Sequence, residues 1–492
     1  MNRQLYPLKS ILLGLAVAQV LATVFVYLSN AGLHDKVLAI EAAGYLAIPN
    51  RHIRPSLLEF WPAFYGGLFF TFTIGAALSV ASLAGAWIWD RLFKRKRGFL
   101  IFPACVWLGS LALVNSRGAD LFASSFFFCV PPIVFFAGLR WMPRQSQEKT
   151  WPMRLAFLLP LVVTALVWLP RVDGFIFLDV RDFLLLSNPV GQKVNDFYYQ
   201  YTLYPAEAFK SLDQKTLKTC KPPLVKNAAL AKRLEKILLR HDYLSLSGES
   251  PVDLEITARG QDLLFSRKDR MVLQTSLKAF PADPAGVLDK FSALTDKHML
   301  LRRAVFFSLI VGLPLTLYVP AFNFLNWAAG LFLRPIRAAI AAAVICLTLG
   351  LLLPAPLYPA RAATAEGFSA LTSPAWPARV AGLRTIWRQG LEISDFPAYR
   401  KFLTSPHIPE RYWLAAALGK SRDPETYRDI VFLLDDPQAN VVCIAFQSLG
   451  RRRGKAGVPE ILKRIRASEH WYVQWYAYRA LRGLSWRQAR SK

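Results

Sequence analysis

Four carboxylates have the residue type and the setting that acid–base chemistry would need. Asp35 and Glu41 follow the first apolar run of the sequence, and Asp179 and Asp182 follow the fifth. A carboxylate beside a membrane surface can bind a cation or transfer a proton. Such residues also form solvated ion networks with basic neighbours, and Arg181 stands between the second pair. We therefore expect an ion network and keep catalysis as the alternative.

A glycine-containing basic segment near the C-terminus has some features of a phosphate-binding loop. It runs Gly450-Arg-Arg-Arg-Gly454-Lys455, one residue short of the GxxxxGK pattern, and neither Ser nor Thr follows the lysine. No strand pattern precedes it. We interpret it as a turn between helices, whose charges can form a basic patch for anionic lipid headgroups. The residues of this patch are Arg451, Arg452, Arg453 and Lys455.

The last helical segment is unusually aromatic. Trp471 and Trp475 are four residues apart, as are Tyr472 and Tyr476, so the two pairs lie on adjacent stripes of one helix. One stripe can pack on the preceding helices, which would leave the other exposed beside Arg479. Aromatic residues and Arg are enriched at binding hot spots and at lipid headgroups. The pattern predicts that this helix docks the tail to a partner or to a membrane.

Metal and cofactor sites are not indicated. The five cysteines form no CxxC, and the six histidines are scattered without an HExxH. Neither a zinc module nor a thioredoxin-type redox motif is supported, so we expect no cofactor and no bound metal. Cys220 and Cys443 stand alone in the polar regions, and the sequence leaves open whether they pair.

The candidate residues lie in polar segments between long apolar runs. Runs of this length and composition are typical of transmembrane helices, and the mean hydropathy of the chain is +0.28. We therefore expect a polytopic membrane protein with about seven crossings. The runs are Ile11–Leu28, Phe64–Ile88, Phe99–Val114, Leu121–Leu139, Leu155–Leu169, Ala304–Pro320 and Ala338–Leu353.

Basic residues in the short loops indicate the orientation. With the N-terminus in the cytoplasm, thirteen Lys and Arg residues fall in inside loops and four in outside loops. The polar insert after the fifth run then lies outside the cytoplasm, and a seventh crossing returns the tail to that side. If the last run were re-entrant, the tail would be cytoplasmic. We expect the location to be a bacterial inner membrane.

The run Ala304–Leu333 is too long for one crossing and too short for two. Pro314, Pro320, Asn323 and Asn326 interrupt it. We predict one crossing that ends near Pro320, followed by an interfacial helix.

The insert has the pattern of a small α+β domain. Asn188-Pro189 predicts a helix start, and Asn227–Arg240 has the periodicity of an amphipathic helix. Short strands are predicted at Val252–Thr257, Leu263–Ser266 and Met271–Leu277, and a helix at Asp283–Leu300.

An aromatic and aliphatic stripe follows the first predicted helix start of the insert. Its members recur at steps of three and four residues, so they share one helical face. We interpret its aromatic part, Phe197–Tyr201 with Tyr204, as core or membrane-interface packing and keep a ligand or partner groove as the alternative. The members are Val190, Val194, Phe197, Tyr201 and Tyr204.

The tail repeats with a period of about 31 residues. Leu418-Gly419 and Leu449-Gly450 occupy equivalent positions, as do Ala445 and Ala477, and a helix pair at this period is typical of an α-solenoid. RYWLAAALGKSRDPETYRDIVFLLDDP and NVVCIAFQSLGRRRGKAGVPEILKRI resemble HEAT repeats of the short bacterial type, also found in phycobilisome-lyase-like proteins. The resemblance covers about Ser373–Trp486 and implies a protein-binding scaffold. One departure is that Val442, rather than the frequent Arg, follows Val441.

The expected fold is mainly α. It combines a polytopic α-helical membrane region with a small soluble α+β insert and a C-terminal HEAT-like α-solenoid. The boundaries we predict are 1–169 and 304–356 for the membrane regions, 170–303 for the insert, 357–372 for a linker and 373–492 for the repeats.

A non-enzymatic membrane scaffold is the function we expect, with the tail binding an unidentified protein partner, for example in assembly of an envelope complex. A membrane-embedded enzyme acting on a lipid-linked substrate is the alternative, because polytopic glycosyltransferases also place acidic residues in the first outside loop. A transporter is a third class, which the scarcity of polar residues within the runs disfavours. Much of the basic charge behind the net +27 flanks the apolar runs, and the tail is also basic, which favours the bilayer and its anionic headgroups over nucleic acid.

Overall fold

The structure is a computed structural model that describes residues 5–143, 151–248, 250–357, 370–452, 454 and 457–490. The chain forms two compact units, each assembled from three separate segments. The first unit comprises Met1–Leu28, Phe60–Ile176 and Asp296–Ala355, and the second comprises Ser29–Glu59, Phe177–Thr295 and Pro356–Lys492. The second unit therefore contains the first loop, for which we use the segment Ser29–Glu59, together with the insert and the tail.

The N-terminal helices are long and apolar. A π-helical turn at Thr71–Gly75 joins the second and third into one helical stretch. Small residues let helices of this unit approach closely, since a Cβ on Gly75 would lie 2.5 Å from the Cβ of Ala18. The helices are α1 Tyr6–Ala42, α2 Phe60–Phe70, α3 Ala76–Arg91, α4 Ile101–Val114, α5 Leu121–Trp141 and α6 Trp151–Trp168.

The insert contains short helices and two small sheets. Its helices are α7 Ile176–Asp179, α8 Pro189–Tyr201, α9 Leu203–Phe209, α10 Ala228–Arg240, α11 Ala279–Ala282 and α12 Pro284–Thr295. Strand β1 Lys218–Cys220 pairs in parallel with β2 Tyr243–Ser245, and β3 Glu255–Arg259, β4 Asp262–Arg267 and β5 Arg270–Ser276 form an antiparallel sheet. Helix α10 buries Leu234 and Leu238 against Phe265 and Phe291. The apolar faces of helices and strands thus meet in one core.

Most predicted elements of the insert are confirmed. Helix α8 begins at Pro189, where the Asn188 side chain accepts a hydrogen bond from the Gly191 N–H at 2.8 Å. The members of the predicted stripe differ in exposure, since Tyr204 is buried whereas Val190, Val194 and Phe197 are exposed. Sequence periodicity identified the face but not what covers it.

The second set of apolar helices follows the insert. It comprises α13 Met299–Phe307, a π-helical turn at Ser308–Gly312, α14 Leu313–Ala329 and α15 Pro335–Leu352. The expected break near Pro320 is absent, since α14 continues through that residue to Ala329. A proline inside a helix removes one backbone hydrogen bond, and apolar packing can maintain the helix around it.

Seven helical stretches in the described residues are long and apolar enough to cross a membrane. Their number agrees with the seven predicted crossings, and they are compatible with a multi-pass membrane protein. The stretches are Tyr6–Ala42, Phe60–Arg91, Arg97–Val114, Leu121–Trp141, Arg154–Arg171, Met299–Ala329 and Pro335–Leu352.

Two inter-helix segments of the first unit meet through an ion pair. Asp120 caps α5 by accepting the Ala123 N–H at 3.1 Å, and its second oxygen lies 2.5 Å from His298 Nδ1. Burial alone would raise the pKa of Asp120, but the bonds from His298 and Ala123 lower it below the usual value. The carboxylate therefore stays ionised and ties the start of α5 to the start of α13.

The tail consists of helices whose starts recur. Its helices are α16 Trp376–Gln389, α17 Ile408–Leu418, α18 Thr426–Phe432, α19 Ala439–Arg451, α20 Val458–Ala467 and α21 Trp471–Gly483. Helices α16, α17, α19 and α21 start 31 or 32 residues apart and pack on one another in that order. Ala445 and Ala477 are fully buried. Cys220 and Cys443 are both buried and unpaired.

Candidate interaction site

A buried ion cluster joins the insert to the tail within the second unit. Asp182 is fully buried, and its Oδ2 accepts hydrogen bonds from Arg384 Nη2 at 3.2 Å and Trp413 Nε1 at 2.7 Å. Its Oδ1 accepts from Arg181 Nε at 2.7 Å. Arg384 also donates from Nη1 to Asp179 Oδ1 at 2.6 Å. One guanidinium of the tail therefore binds both carboxylates of the insert.

Local backbone geometry places the two aspartates together. Asp179 ends α7, and Asp182 lies in the π-helical turn Val180–Leu185 that follows. Residues three apart in a helix lie on one face, so both carboxylates reach Arg384. Asp182 belongs to the widened turn itself, a feature often found at functional positions.

The charges of this cluster balance one another. Two carboxylates, Asp179 and Asp182, face the guanidinium groups of Arg181 and Arg384. Arg181 also lies 3.8 Å from the centre of the Tyr412 ring. Burial lowers the pKa of Arg181, but Asp182 and Tyr412 outweigh it and raise that pKa above its ordinary value. Carboxylates held by several charge-assisted donors are suited to fixing a geometry.

The last helix contacts the insert through its aromatic residues. Trp471 is buried, with its ring 5.0 Å from that of Tyr204. Tyr472 packs 5.0 Å from the Tyr199 ring, and its hydroxyl lies 2.8 Å from Thr202 Oγ1. The docking surface of the helix is therefore occupied by α8 and α9 of the same chain.

The remaining predicted aromatic residues of this helix form a half-buried group. The Trp475 ring lies 4.9 Å from that of Tyr476, and the Arg479 guanidinium lies 4.7 Å above Trp475. Lys210 of the insert lies over the same indole at 5.4 Å. Neither pair is exposed, unlike the expectation from the tail alone, because the insert covers residues that the preceding repeat cannot.

The predicted basic patch divides into residues with different environments. Arg451 is exposed at the end of α19. Arg452 is instead bonded internally, donating to the Asp423 carbonyl and to Thr426 Oγ1, both at 2.7 Å. Arg453 and Lys455 lie outside the described residues.

The first-loop carboxylates of the enzyme alternative have partners of their own. Asp35 has an 80% exposed side chain and lies 3.3 Å from His34, whereas Glu41 is paired with Arg54. Asp179 and Asp182 share Arg384 instead, so the four carboxylates do not converge on one partner. Among the described residues, no group of three or more His, Cys, Asp and Glu side chains has the arrangement of a metal site.

Asn50 is a buried connection that sequence analysis did not identify. Its Nδ2 donates to the carbonyls of Ile465, Arg466 and Ser468 at 2.8, 3.2 and 3.0 Å. Its backbone N–H donates to Gln474 Oε1 at 2.9 Å. These bonds satisfy the carbonyls at the end of α20 and attach the first loop to the tail. A single Asn in a short loop carries no pattern that would reveal such a role.

Asp253 provides a third connection, between the end of α1 and the insert. Its carboxylate accepts the Thr219 N–H at 2.9 Å and forms an ion pair with Lys36. Burial acts to raise the pKa of Asp253, but Lys36, Lys215 and these hydrogen bonds lower it well below the usual value. The first loop, the insert and the tail are thus joined by buried polar bonds as well as by apolar packing.

No protein-family model, curated protein or solved structure matches this chain.

Proposed function

We propose that the chain is a multi-pass membrane scaffold whose second unit holds a partner protein. The partner binds the outer row of a HEAT-like α-solenoid, which consists of helices α18 and α20. The single observation that supports it is that the two rows of tail helices are buried to different extents. The row α16, α17, α19 and α21 is largely buried, and the insert contacts it through Asp182, Tyr198 and Tyr199. Helices α18 and α20 leave most of their residues outside the core.

The helix spacing supports the solenoid. Repeated helix pairs stack so that each unit contacts only its neighbours, as α16, α17, α19 and α21 do. Equivalent glycines lie at the close approaches. A Cβ on Gly419 would meet Ser448 Oγ at 2.5 Å, and one on Gly450 would meet the Ala480 Cα at 2.8 Å.

The composition of the second unit supports one side of the membrane for all three of its segments. Four candidate spans separate the first loop from the insert, and two separate the insert from the tail. Even numbers of crossings return the chain to the same side, which a compact unit requires. A re-entrant last run would separate the insert from the tail. Together with the basic-residue count, this favours an extracytoplasmic second unit in a bacterial inner membrane.

The outer row carries one feature suited to a protein partner. Phe432, at the end of α18, is 55% exposed and is the only large hydrophobic side chain exposed in the described part of the tail. Exposed aromatic residues are common anchors of protein interfaces. The proposed partner surface therefore comprises α18 and α20 with Phe432 at one end.

Site-specific photo-crosslinking in cells tests this proposal. A photoreactive amino acid is placed at Phe432 or Arg428 of the full-length chain, and at Met271 in the insert as an equally exposed control. We expect Phe432 and Arg428 to yield one crosslinked species of defined mass, and Phe432→Glu to abolish the crosslink formed from Arg428.

The opposite result is equally clear. Crosslinks of the same pattern at Met271, or none at either outer-row position in membranes that contain the folded chain, would contradict a partner on this row. The lipid-linked enzyme stays a prediction with its own test, which is whether Asp35→Ala or Glu41→Ala removes an activity while expression is retained.

A further inference from the structure

Two adjoining cavities of the second unit form a groove between the first loop and α20. Their volumes are about 380 and 660 Å³, within the range of small-molecule sites. Both are lined by Arg51, Leu462 and Arg466. The groove is distinct from the ion cluster at Asp182 and from the outer-row residue Phe432.

The charged lining of the groove is almost entirely basic. Arg51, His52, Lys463 and Arg466 line it and are exposed, and no acidic partner for them occurs among the residues that the structure describes. Lys463 and Arg466 are three residues apart and lie on one face of α20. The remaining carboxylate of the lining, Glu41, is already paired with Arg54.

The neighbouring Arg464, unlike Lys463 and Arg466, has acidic partners. It lies on the same helix, and its guanidinium binds Asp435 at 2.6 Å and Glu460 at 2.7 Å. These partners neutralise Arg464 on the face away from the groove. The same helix therefore pairs its cation on one side and leaves two cations available on the other.

Asn50 fixes the two walls of the groove. Its Oδ1 accepts the backbone N–H of His52 at 3.0 Å, while its Nδ2 bonds the Ile465 and Arg466 carbonyls. The side chain thereby sets the distance between the Arg51–His52 wall and the Lys463–Arg466 wall. A ligand bridging the walls would not have to order the backbone on binding, which lowers the entropic cost of binding.

An apolar surface continues beside the cations. Tyr45, Leu462 and Trp486 line the smaller cavity, and Pro459 and Ala467 line the larger one. A ligand with a charged end and a less polar body would match both surfaces.

We propose that this groove binds a phosphate-bearing anion, held between Arg51 on one wall and Lys463 and Arg466 on the other. Three permanent cations match a group with more than one negative oxygen, and Arg binds phosphate through two parallel hydrogen bonds. The first loop connects two candidate membrane helices, so an anionic phospholipid headgroup is one source. A soluble phosphate compound is the other.

Calorimetric titration of the full-length chain in neutral detergent tests the site. The probes are dihexanoyl phosphatidylglycerol below its micelle concentration, dihexanoyl phosphatidylcholine as the zwitterionic comparison, and inorganic pyrophosphate. We expect saturable binding of an anionic probe, weakened about tenfold by Arg51→Gln or Arg466→Gln and more by both. Higher salt should weaken the binding as well.

Arg259→Gln is the matched control, because Arg259 is an exposed residue of β3 and does not line the groove. Binding by this variant should stay within about twofold of the wild type, which is less than 0.5 kcal/mol. If phosphatidylglycerol binds and pyrophosphate does not compete with it, the ligand is a lipid headgroup. If pyrophosphate binds and phosphatidylglycerol does not compete with it, the ligand is a soluble phosphate compound. If no anionic probe binds the wild type, or if the double variant binds as tightly, the proposal is wrong.

Discussion

Asp182 accepts hydrogen bonds from side chains of two distant parts of the chain, and this makes it unusual among the polar residues. Arg384 and Trp413 approach from the tail, and Arg181 from the insert. A buried ion pair does not necessarily stabilise a protein relative to apolar packing. Removing one partner nevertheless costs a great deal, because the remaining charges stay buried without compensation.

Replacement of Asp182 with Ala should therefore lower the free energy of unfolding by about 3–5 kcal/mol. The loss arises because Arg384 and Arg181 each lose a carboxylate in a region closed to water. Thermal unfolding of the purified chain in detergent measures it. Asp35→Ala is the control, since that side chain is 80% exposed, and it should change stability by less than about 0.5 kcal/mol. Equal effects of the two substitutions would contradict the structural role of the cluster.

The stability of the second unit should also depend on pH through His470. Burial lowers the pKa of His470 below its usual value near 6.5, and Asp196 opposes this only partly. The unfolded chain therefore binds a proton at His470 more readily than the folded chain does. The contribution of neutral His470 to stability is complete above pH 6.5 and is lost as the pH falls toward the lowered pKa. Unfolding measured between pH 7.5 and about 5 should show this loss. His470→Gln should give a flatter profile, and an unchanged slope would contradict the assignment.

The residues of the cluster were identified as candidates, but their partner was not. Asp179 and Asp182 had the composition of an ion network with Arg181, and we expected that network to be solvated. Arg384 lies about 200 residues further along the chain, and an apolar region intervenes. Local periodicity carries no information about such a contact, because it is created only when the insert covers the buried row of the tail.

At the scale of elements, local pattern was a reliable guide wherever one face of an element is buried. Helix α8, the strands of the antiparallel sheet and the recurring helix starts of the tail all lie close to where periodicity and capping residues placed them. The continuous helix through Pro320 was missed, because that prediction gave the proline more weight than the surrounding apolar packing. The parallel pair β1 and β2 was also missed, since strands of three residues are too short to show alternation.

The close packing of α19 on α21 provides a prediction at this scale. Replacing an exposed helical Gly with Ala usually stabilises a protein. At Gly450, however, the new Cβ would lie 2.8 Å from the Ala480 Cα. Gly450→Ala should therefore destabilise the second unit by about 1–3 kcal/mol through overpacking. Thermal unfolding is the measurement.

Gly454→Ala is the matched comparison, because a Cβ there would meet none of the residues that the structure describes within 4 Å. It should leave the unfolding temperature nearly unchanged. A stabilising effect of Gly450→Ala would mean that the two helices are farther apart than the structure has them. Ala445→Leu, in the fully buried row of α19, should act in the same direction as Gly450→Ala.

Composition and loop charges predicted a multi-pass membrane protein. They did not predict that the first loop would combine with the insert and the tail in one unit. Asn50, Asp182 and Asp253 make the connections, and each is a single polar residue without a motif. The sequence of the tail alone predicts that its last helix docks on an external surface. Tyr199 and Tyr204 of the insert supply that surface instead.

A common unit requires the insert and the tail to lie on the same side of the membrane, and cysteine labelling in intact cells tests this. Met271→Cys in the insert and Arg451→Cys in the tail replace exposed side chains, and Arg451 lies outside the proposed partner surface. Both should react with a membrane-impermeant maleimide, because the loop charges predict that this side lies outside the cytoplasm. Lys96→Cys, between the second and third candidate spans, should react only after the cells are permeabilised. The chain without added cysteines provides the background, since Cys220 and Cys443 are buried.

Labelling of both positions only after permeabilisation would reverse the orientation but preserve the common side. Labelling of Met271→Cys without Arg451→Cys would contradict a single unit, because the insert and the tail would then lie on opposite sides of the membrane.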